Sequence, residues 1–193
     1  MGPDNPSIVL IGEAPGRNEI KLGRPFVGVS GKELTKMIEL SGLGRDDVYI
    51  TSVVRVRPYS IKNTIDSQGK QIIKHPNWTP SKKEVKIFAP LFDWEIQTLA
   101  PKLLVPLGNT SIQRLLVPQA NVGNLHGQIF QDHIMQISGT GQYHPGKQQY
   151  WIAPMYHPAA YLYARRLEQT VREDWEHLGE WLGQHPNILT KSL

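Results

Sequence analysis

The distribution of apolar and polar residues along the chain predicts strands and helices in alternation. The run Ile8-Val9-Leu10-Ile11 is rich in β-branched residues and is uninterrupted by polar ones, as is typical of a buried parallel strand. Apolar or alternating stretches predict further strands at 48–56, 103–107, 130–137 and 150–155. Helical spacing predicts helices at 31–40, 81–99, 110–116 and 168–182. The alternation favours an α/β fold, a three-layer α/β/α sandwich with a mostly parallel central sheet.

Residues at two predicted helix starts have the spacing of a capping box. Ser30 precedes the first helix and Glu33 follows three residues later, and Ser81 and Glu84 repeat this pattern at the second. Pro90 lies inside the second helical pattern and predicts that its first part is a separate short turn. The Gly-rich stretch 138–147 predicts a turn, and the tail after position 183 is predicted to be loose.

Composition limits the classes of protein to which the chain belongs. Its 193 residues suffice for one α/β domain, so we expect a single domain over residues 1–193. A formal net charge of +4 is consistent with a phosphate-bearing partner. The absence of cysteine excludes disulfides, a thiol nucleophile and a thiolate-held iron–sulfur cluster. No apolar run approaches the roughly 20 residues of a membrane span and no signal-peptide pattern is present, so a cytoplasmic protein is expected.

The first strand leads into the segment with the clearest chemical character, residues 12–16 (GEAPG). A Gly/Pro-rich loop between a strand and a helix is where open α/β sheets place their ligand sites. Glu13 lies at the carboxyl end of the strand, and Phe26 lies in a second loop that Gly and Pro also punctuate. A carboxylate and an aromatic ring at one crevice suit a planar ligand.

At these residues a family resemblance becomes specific. GEAPG, Glu19 and the segment GRPFVG-x-SG resemble the first motif of the uracil-DNA glycosylase superfamily, and the closest branch is the family-4 type. Tyr156-His157-Pro158-Ala159-Ala160, reached from the last predicted strand, is similar to the closing motif of that superfamily. His144-Pro145 has the same dipeptide but lies before that strand, so we prefer His157.

The resemblance implies a monofunctional DNA glycosylase that hydrolyses the N-glycosidic bond of uracil or another deaminated base flipped out of DNA. It implies catalytic roles for Glu13 and His157. The residues it implies for base contact are Gly12, Ala14, Glu19, Phe26, Ser52 and Asn77. Those it implies for DNA contact are Pro158, Ala159, Leu162, Arg165 and Arg166, with Leu162 or Tyr161 filling the gap left in the base stack. The expected partner is DNA that contains uracil or a deaminated base, bound by a monomer that contacts no membrane.

The chain departs from the family pattern at several positions. Ser52 stands where the family has an asparagine that reads the base edge, and a Ser hydroxyl is shorter and offers one rotatable donor, so the resemblance does not carry over the base preference at this position. The family-4 type normally carries an iron–sulfur cluster, but Val56 replaces one cluster cysteine and Phe88 lies near the position of another. No metal or other cofactor is therefore expected, and packing is predicted to replace the structural role of the cluster. Asn77-Trp78-Thr79-Pro80 resembles the Asn-Arg-x-Pro of the family.

Residues 61–76 are predicted to form an inserted loop, since the family connects these elements with a shorter one. Its basic residues, Lys62, Lys70, Lys74 and His75, suit either a flap on DNA phosphates or a solvated loop or small hairpin.

There are three alternatives to a monofunctional DNA glycosylase, and the sequence argues against two of them. The main alternative is a non-catalytic DNA-binding or damage-sensing module on the same fold. A nucleotide-cofactor protein is disfavoured because the first loop lacks GxGxxG and no acidic residue ends the second strand. A covalent-trapping branch of the superfamily carries a histidine in this region, but His75 lacks the surrounding sequence of that branch.

Overall fold

A computed structural model describes residues 1–190, and a five-stranded sheet forms its centre. The strands of this sheet, in chain order, are β1 (Ile8–Gly12), β2 (Tyr49–Ser52), β5 (Leu103–Pro106), β6 (Phe130–Ile137) and β7 (Tyr143–Ile152). Their spatial order is β2-β1-β5-β7-β6, in which β6 alone runs antiparallel to its neighbour. The predicted mostly parallel sheet is thus confirmed.

The helices lie on both faces of this sheet and complete the predicted three layers. They are α1 (Arg17–Leu22), α2 (Val29–Leu40), α3 (Lys82–Leu99), α4 (Asn109–Leu115), α5 (Val122–Leu125), α6 (Ala160–Tyr163), α7 (Glu168–Gln184) and α8 (Pro186–Leu189). Short 3₁₀ turns occur at Arg45–Asp47 and Arg165–Leu167. None of the helices among residues 1–190 is both long and apolar enough to span a bilayer.

Alternate residues of β1 supply the two halves of the core. Ile8 and Leu10 face a cluster that includes residues of α2 and α7, among them the fully buried Trp175. Val9 and Ile11 face the opposite cluster, which contains residues of α3. Because side chains alternate across a strand, one apolar run fills both layers, as expected for a strand covered on both faces.

The predicted insertion is a two-stranded antiparallel hairpin outside the central sheet. Its strands are β3 (Lys62–Ile65) and β4 (Gln71–Lys74), and the pairing extends to a bridge between Tyr59 and Asn77. We call residues 59–77 the arm. The segment therefore folds as a small hairpin, which is one of the structures left open above. Its contact with DNA phosphates stays a prediction.

Two predicted helix features are wrong. Ser30 is not an N-cap, because α2 begins at Val29 with Gly28 as its cap, and the Glu33 carboxylate instead accepts from Tyr161 and Lys36. Pro90 does not divide its helix, since α3 is continuous from residue 82 to residue 99. The second capping box is confirmed: Ser81 caps α3 and exchanges hydrogen bonds with Glu84.

The boundaries of several elements differ from those predicted. The second strand ends at Ser52 rather than at residue 56, and β7 begins at Tyr143, within the predicted Gly-rich turn. Helix α1 was not predicted, and α8 lies in the tail expected to be loose. The last three residues of the predicted domain and tail, 191–193, lie outside the described residues.

Candidate active site

The carboxyl ends of three neighbouring parallel strands place polar side chains at one edge of the sheet. Glu13 follows β1, Thr110 lies in the first turn of α4 after β5, and His157 follows β7. The chain leaves β1 for β2 on one side and returns at β5 on the other, so this edge is a topological switch point. Open α/β sheets hold ligands at such points.

Glu13 is fixed both by its backbone and by its carboxylate. Its carbonyl accepts from the Val54 amide at 3.0 Å, and its Oε2 accepts from the Thr110 hydroxyl. Burial raises the pKa of the Glu13 carboxyl, while the Thr110 hydrogen bond acts in the opposite direction. A partly desolvated carboxylate interacts more strongly with nearby positive charge than one in water.

Phe26 is held in an unusual backbone conformation by the loop around it. Its φ of 52° lies in the left-handed region, which a phenylalanine rarely adopts. Glu19 stabilises the loop, since its Oε1 accepts from the amides of Val27 at 3.1 Å and Gly28 at 3.3 Å. Glu19, predicted to contact the base, therefore also determines where the Phe26 ring lies.

Two glycines make room for Phe26. A Cβ added at Gly12 would lie 2.8 Å from the Phe26 ring, and one added at Gly31 would lie 1.8 Å from the Phe26 carbonyl oxygen. No side chain fits at such distances without movement of the loop. Gly12, predicted to contact the base, thus lies against the edge of the ring and does not line the cavity described below.

His157 has a defined tautomer in its neutral form. Its Nδ1 accepts a hydrogen bond from the Ala159 amide at 3.1 Å, so the proton of the neutral ring is on Nε2. Burial lowers the pKa of the imidazole and favours that neutral form. The ring lies 5.7 Å from the Phe26 ring, centroid to centroid, at an angle of 34°. His157 is therefore an N–H donor beside an aromatic face.

The arm and the end of β2 contribute two polar side chains. Ser52 is buried at the end of β2, and its hydroxyl has no hydrogen-bond partner within residues 1–190. Asn77 lies at the base of the arm, where its Oδ1 accepts from Arg57 Nε at 2.6 Å. Sequence reasoning did not identify Arg57 as a residue of the site, because its partner lies 20 residues away across an insertion.

These side chains enclose one cavity of about 200 Å³, which we call the Glu13 cavity. Seven of the eight residues predicted for catalysis or base contact line it, all except Gly12: Glu13, Ala14, Glu19, Phe26, Ser52, Asn77 and His157. Six further residues, none of which was assigned to the site from the sequence, complete the lining: Pro15, Gly16, Pro25, Ser30, Pro58 and Trp78. A larger groove of about 510 Å³, between α3 and the β6–β7 turn, has no acidic or histidine side chain in its lining.

The residues predicted to contact DNA follow His157 directly but do not line the Glu13 cavity. Pro158 is buried and Ala159 donates its amide to His157. Leu162, Arg165 and Arg166 are exposed. Leu162, Arg165 and Arg166 therefore lie on the surface outside the lining of the cavity.

Tyr161 and its neighbours have different surroundings. Tyr161 is partly buried, and this burial raises the pKa of its phenol, as does the hydrogen bond that its hydroxyl donates to the Glu33 carboxylate. Leu162 is 40% exposed and Tyr163 is 91% exposed. Of the two residues named for insertion into a base stack, Leu162 is thus the more exposed, and Tyr161 is hydrogen-bonded to Glu33. Tyr163, the more exposed neighbour of Leu162, was not identified from the sequence as a residue that could contact DNA.

The two positions related to cluster cysteines contain side chains that cannot bind iron. Val56 is exposed, and Phe88 packs against the core cluster that contains Ile96. The chain has no cysteine, and within residues 1–190 no three His, Asp or Glu side chains are grouped to hold a metal ion. An iron–sulfur cluster therefore does not fit these residues.

Comparison with known proteins adds an independent finding. The family model described as "Uracil DNA glycosylase superfamily" matches residues 1–179. The chain is 36% identical over 175 residues to the Type-4 uracil-DNA glycosylase of Sulfurisphaera tokodaii, with 90% of this chain and 69% of the relative covered. It is 30% identical over 197 residues to the Type-4 uracil-DNA glycosylase of Saccharolobus solfataricus, with 100% and 79% covered. The protein of that name from Archaeoglobus fulgidus is 30% identical over 188 residues, with 95% and 81% covered.

Proposed function

Because the chain belongs to the uracil-DNA glycosylase superfamily, we propose that it is a monofunctional glycosylase that hydrolyses the N-glycosidic bond of uracil flipped out of DNA. It is a DNA glycosylase by family and by the names of its relatives. The observation that supports this substrate is the Glu13 cavity, in which a carboxylate, an aromatic ring and a neutral imidazole meet. The proposed partner is uracil-containing DNA, bound by a monomer in the cytoplasm.

The flipped base is proposed to stack on Phe26. A base inside a duplex is out of reach of any pocket, so the nucleotide must first rotate out of the helix. Phe26 lines the cavity, and its left-handed backbone and the Glu19 contacts hold its loop in place. Base–aromatic stacking contributes roughly 1–3 kcal/mol per base, which offsets part of the energy of unstacking.

His157 is proposed to stabilise the leaving base. As the bond between C1′ and the base nitrogen breaks, the bonding electrons move to the base and negative charge develops on its oxygens. The Nε2–H of the neutral imidazole donates to such an oxygen, and because Nδ1 is engaged by Ala159, the ring cannot present the wrong nitrogen without losing that bond. A donor fixed before the reaction needs no reorganisation in the transition state.

Glu13 is proposed to hold and activate the attacking water. The water oxygen bonds to C1′, its proton passes to the carboxylate, and the departing base is later protonated from solvent. The negative charge of Glu13 also favours the oxocarbenium-like sugar of the transition state. Thr110 holds one carboxylate oxygen, which leaves the other for the water.

The absence of a lyase step is supported by the lining of the cavity. A lyase needs an amine that forms a Schiff base with the sugar. Among the described residues that line the Glu13 cavity there is no lysine.

Ser52 sets the proposed range of bases. A single rotatable hydroxyl at this position can hydrogen-bond to other deaminated bases besides uracil.

The test is a glycosylase assay on labelled oligonucleotides that carry uracil opposite G, opposite A or in a single strand, or hypoxanthine or xanthine. Alkali then cleaves each abasic site. We expect strand cleavage with uracil and its loss in Glu13→Gln and His157→Ala. Matched controls are Glu39→Gln, an exposed carboxyl, and His144→Ala, which removes the other His-Pro histidine. DNA binding without cleavage of any substrate would favour the non-catalytic damage-sensing module instead.

A further inference from the structure

At the base of the arm, the side-chain amide of Asn77 accepts a hydrogen bond from Arg57. Tyr59 and Asn77 form a β-bridge, the Ser60 amide donates to the Pro76 carbonyl at 3.0 Å, and the Trp78 amide donates to the Pro58 carbonyl at 3.1 Å. The backbone of Asn77 is therefore paired on both sides, and only its side chain can change orientation.

We propose that Arg57 fixes the orientation of the Asn77 side-chain amide and thereby makes the Glu13 cavity select deaminated bases over their amino-bearing parents. The inference rests on the proposed function and extends it to how the base is chosen. It concerns a positioning residue, since Arg57 itself does not line the cavity.

Arg57 is held by three contacts with the arm. Its Nε donates to Asn77 Oδ1 at 2.6 Å, its Nη2 donates to the His75 carbonyl, and its guanidinium lies 5.2 Å from the centre of the Tyr59 ring. A guanidinium has five N–H donors and no acceptor, so only the oxygen end of an amide can face it. A flipped Asn77 would place its NH₂ group against these donors.

The nitrogen end of Asn77 consequently faces the cavity. A Cβ added at Gly16 would lie 3.3 Å from Asn77 Nδ2, and both Gly16 and Asn77 line the cavity. Nδ2 has no hydrogen-bond partner within residues 1–190. Since its oxygen is taken by Arg57, the amide offers only donors to a bound base.

Donors alone distinguish a deaminated base from its parent. Uracil presents a carbonyl oxygen at C4, whereas cytosine presents an amino group there, and hypoxanthine and adenine differ in the same way at C6. A carbonyl accepts from Asn77 Nδ2, but an amino group would meet it donor to donor. A site built around such a hydrogen bond rejects the analogue that lacks the matching group.

Of the other polar groups in the Glu13 cavity, Glu13 is engaged by Thr110 and Glu19 by the Val27 and Gly28 amides, and the Ser52 hydroxyl does not make this distinction. The Ser52 hydroxyl rotates and can donate or accept, so it suits the ring nitrogen of uracil and that of cytosine equally. Both bases also present the same C2 oxygen to a donor such as His157. The choice between carbonyl and amino group therefore depends on Asn77, whose orientation Arg57 sets.

The experiment compares excision of uracil and cytosine by the full-length protein, read as alkali-labile sites in otherwise identical single-stranded oligonucleotides. Arg57→Met keeps the aliphatic stem but lets the amide flip. We expect cytosine excision to become measurable and the uracil-to-cytosine ratio of kcat/KM to fall by about tenfold or more. Arg57→Lys, which retains donors and has no acceptor, should keep most of the ratio. Asn77→Asp, which places an acceptor toward the base, should lower the ratio further.

Tyr59→Leu is the matched control, because it removes the ring under the guanidinium and leaves the Arg57–Asn77 bond in place. An unchanged ratio in Arg57→Met, in a wild-type protein that excises uracil, overturns the inference and leaves the proposed function standing. An equal fall in Tyr59→Leu also overturns it, since loosening of the arm would then be the cause. A wild-type protein that excises no uracil overturns the proposed function together with the inference.

Discussion

Two groups of residues that line the Glu13 cavity are supported in different ways. Glu13, Phe26 and His157 form what we call the sheet wall, which follows the ends of β1 and β7. Pro58, Asn77 and Trp78 form the arm wall, at the base of a hairpin that makes no pairing with the central sheet. The sheet wall is supported by a buried core, and the arm wall by hydrogen bonds of the arm and by Arg57.

The difference assigns separate tasks to the two walls. Groups that act on a transition state must be held in place before the reaction, and packed elements do this best. A two-stranded hairpin on its own is only marginally stable in water, so side chains on it depend on local contacts. We therefore expect changes in the sheet wall to alter turnover, and changes in the arm wall to alter base choice and DNA affinity.

The largest effect is expected from Glu13→Gln in the sheet wall. The amide keeps the shape and can still accept from Thr110, but it has lost the negative charge and the ability to take a proton. We expect kcat to fall by about 100- to 1,000-fold while Tm changes little, measured by single-turnover excision of uracil and by thermal unfolding. Glu39→Gln is the control. A variant that keeps more than a tenth of the activity would refute the role of Glu13.

A smaller loss is expected from Gly31→Ala, which tests how the sheet wall is held. The added methyl group would meet the Phe26 carbonyl oxygen at 1.8 Å, so the loop must move and carry the ring with it. We expect kcat/KM to fall by about 10- to 100-fold and the free energy of unfolding to fall by about 1–3 kcal/mol. Gly139→Ala is the control because no atom lies within 4 Å of its added Cβ. Wild-type kinetics in Gly31→Ala would contradict this account.

The sequence was sufficient where the signal was local. The four-residue run at Ile8 predicted a doubly covered strand, and Ser81 with Glu84 predicted the start of α3, because both patterns depend on neighbours a few residues apart. Ser30 with Glu33 shows the same pattern but fails, because Glu33 bonds to Tyr161, a residue 128 positions away. A capping box forms only if the Glu carboxylate bonds to the start of its own helix. The local sequence does not show whether a distant residue binds that carboxylate instead.

The same reason explains which parts of the site were missed. Glu13, Phe26 and His157 were identified because their motifs resemble those of a known family. Thr110 and Arg57 lie in segments that resemble the family but were not assigned to the site, since each acts through a partner 97 or 20 residues away. Side chains that position others are recognised only once the fold brings them together.

A change of pH is expected to have an intermediate effect on kcat/KM, through the ionisation of Glu13 and His157 in the sheet wall. Glu13 must be ionised and burial raises its pKa, whereas His157 must be neutral and burial lowers its pKa. Both groups are therefore in their active forms above neutral pH, and both are protonated in acid. We expect kcat/KM to be level above about pH 7 and to fall by about tenfold toward pH 5, between the ordinary pKa values of Glu and His, roughly 4.3 and 6.5.

A variant identifies the group responsible for this acid limb. His157→Asn keeps a neutral hydrogen-bond donor that does not titrate, so the acid limb of its kcat/KM profile belongs to Glu13. If protonation of His157 causes the limb in the wild type, the limb of the variant lies at lower pH. The measurement is the profile of kcat/KM in buffers of constant ionic strength, with His144→Ala as the control. A limb centred above pH 7 in the wild type that moves to lower pH in His157→Asn would contradict the lowered pKa of His157.

The smallest effect is expected from the arm. Lys62 and Lys74 lie opposite each other in the hairpin, and both are exposed. If they bind phosphates, removal of each lysine lowers the slope of log K against log salt concentration by about one. We expect Lys62→Gln/Lys74→Gln to raise KM by a few-fold at low salt and to leave kcat unchanged, since neither lysine lines the Glu13 cavity.

The control for this prediction keeps the net charge of the variant but moves the change to another face. Lys83→Gln/Lys86→Gln removes two lysines that line the groove between α3 and the β6–β7 turn. If both double variants reduce the salt slope equally, the effect is one of overall charge and the arm has no special contact with DNA. If the arm variant instead lowers kcat, the arm wall takes part in turnover, and the separation of tasks between the two walls is wrong.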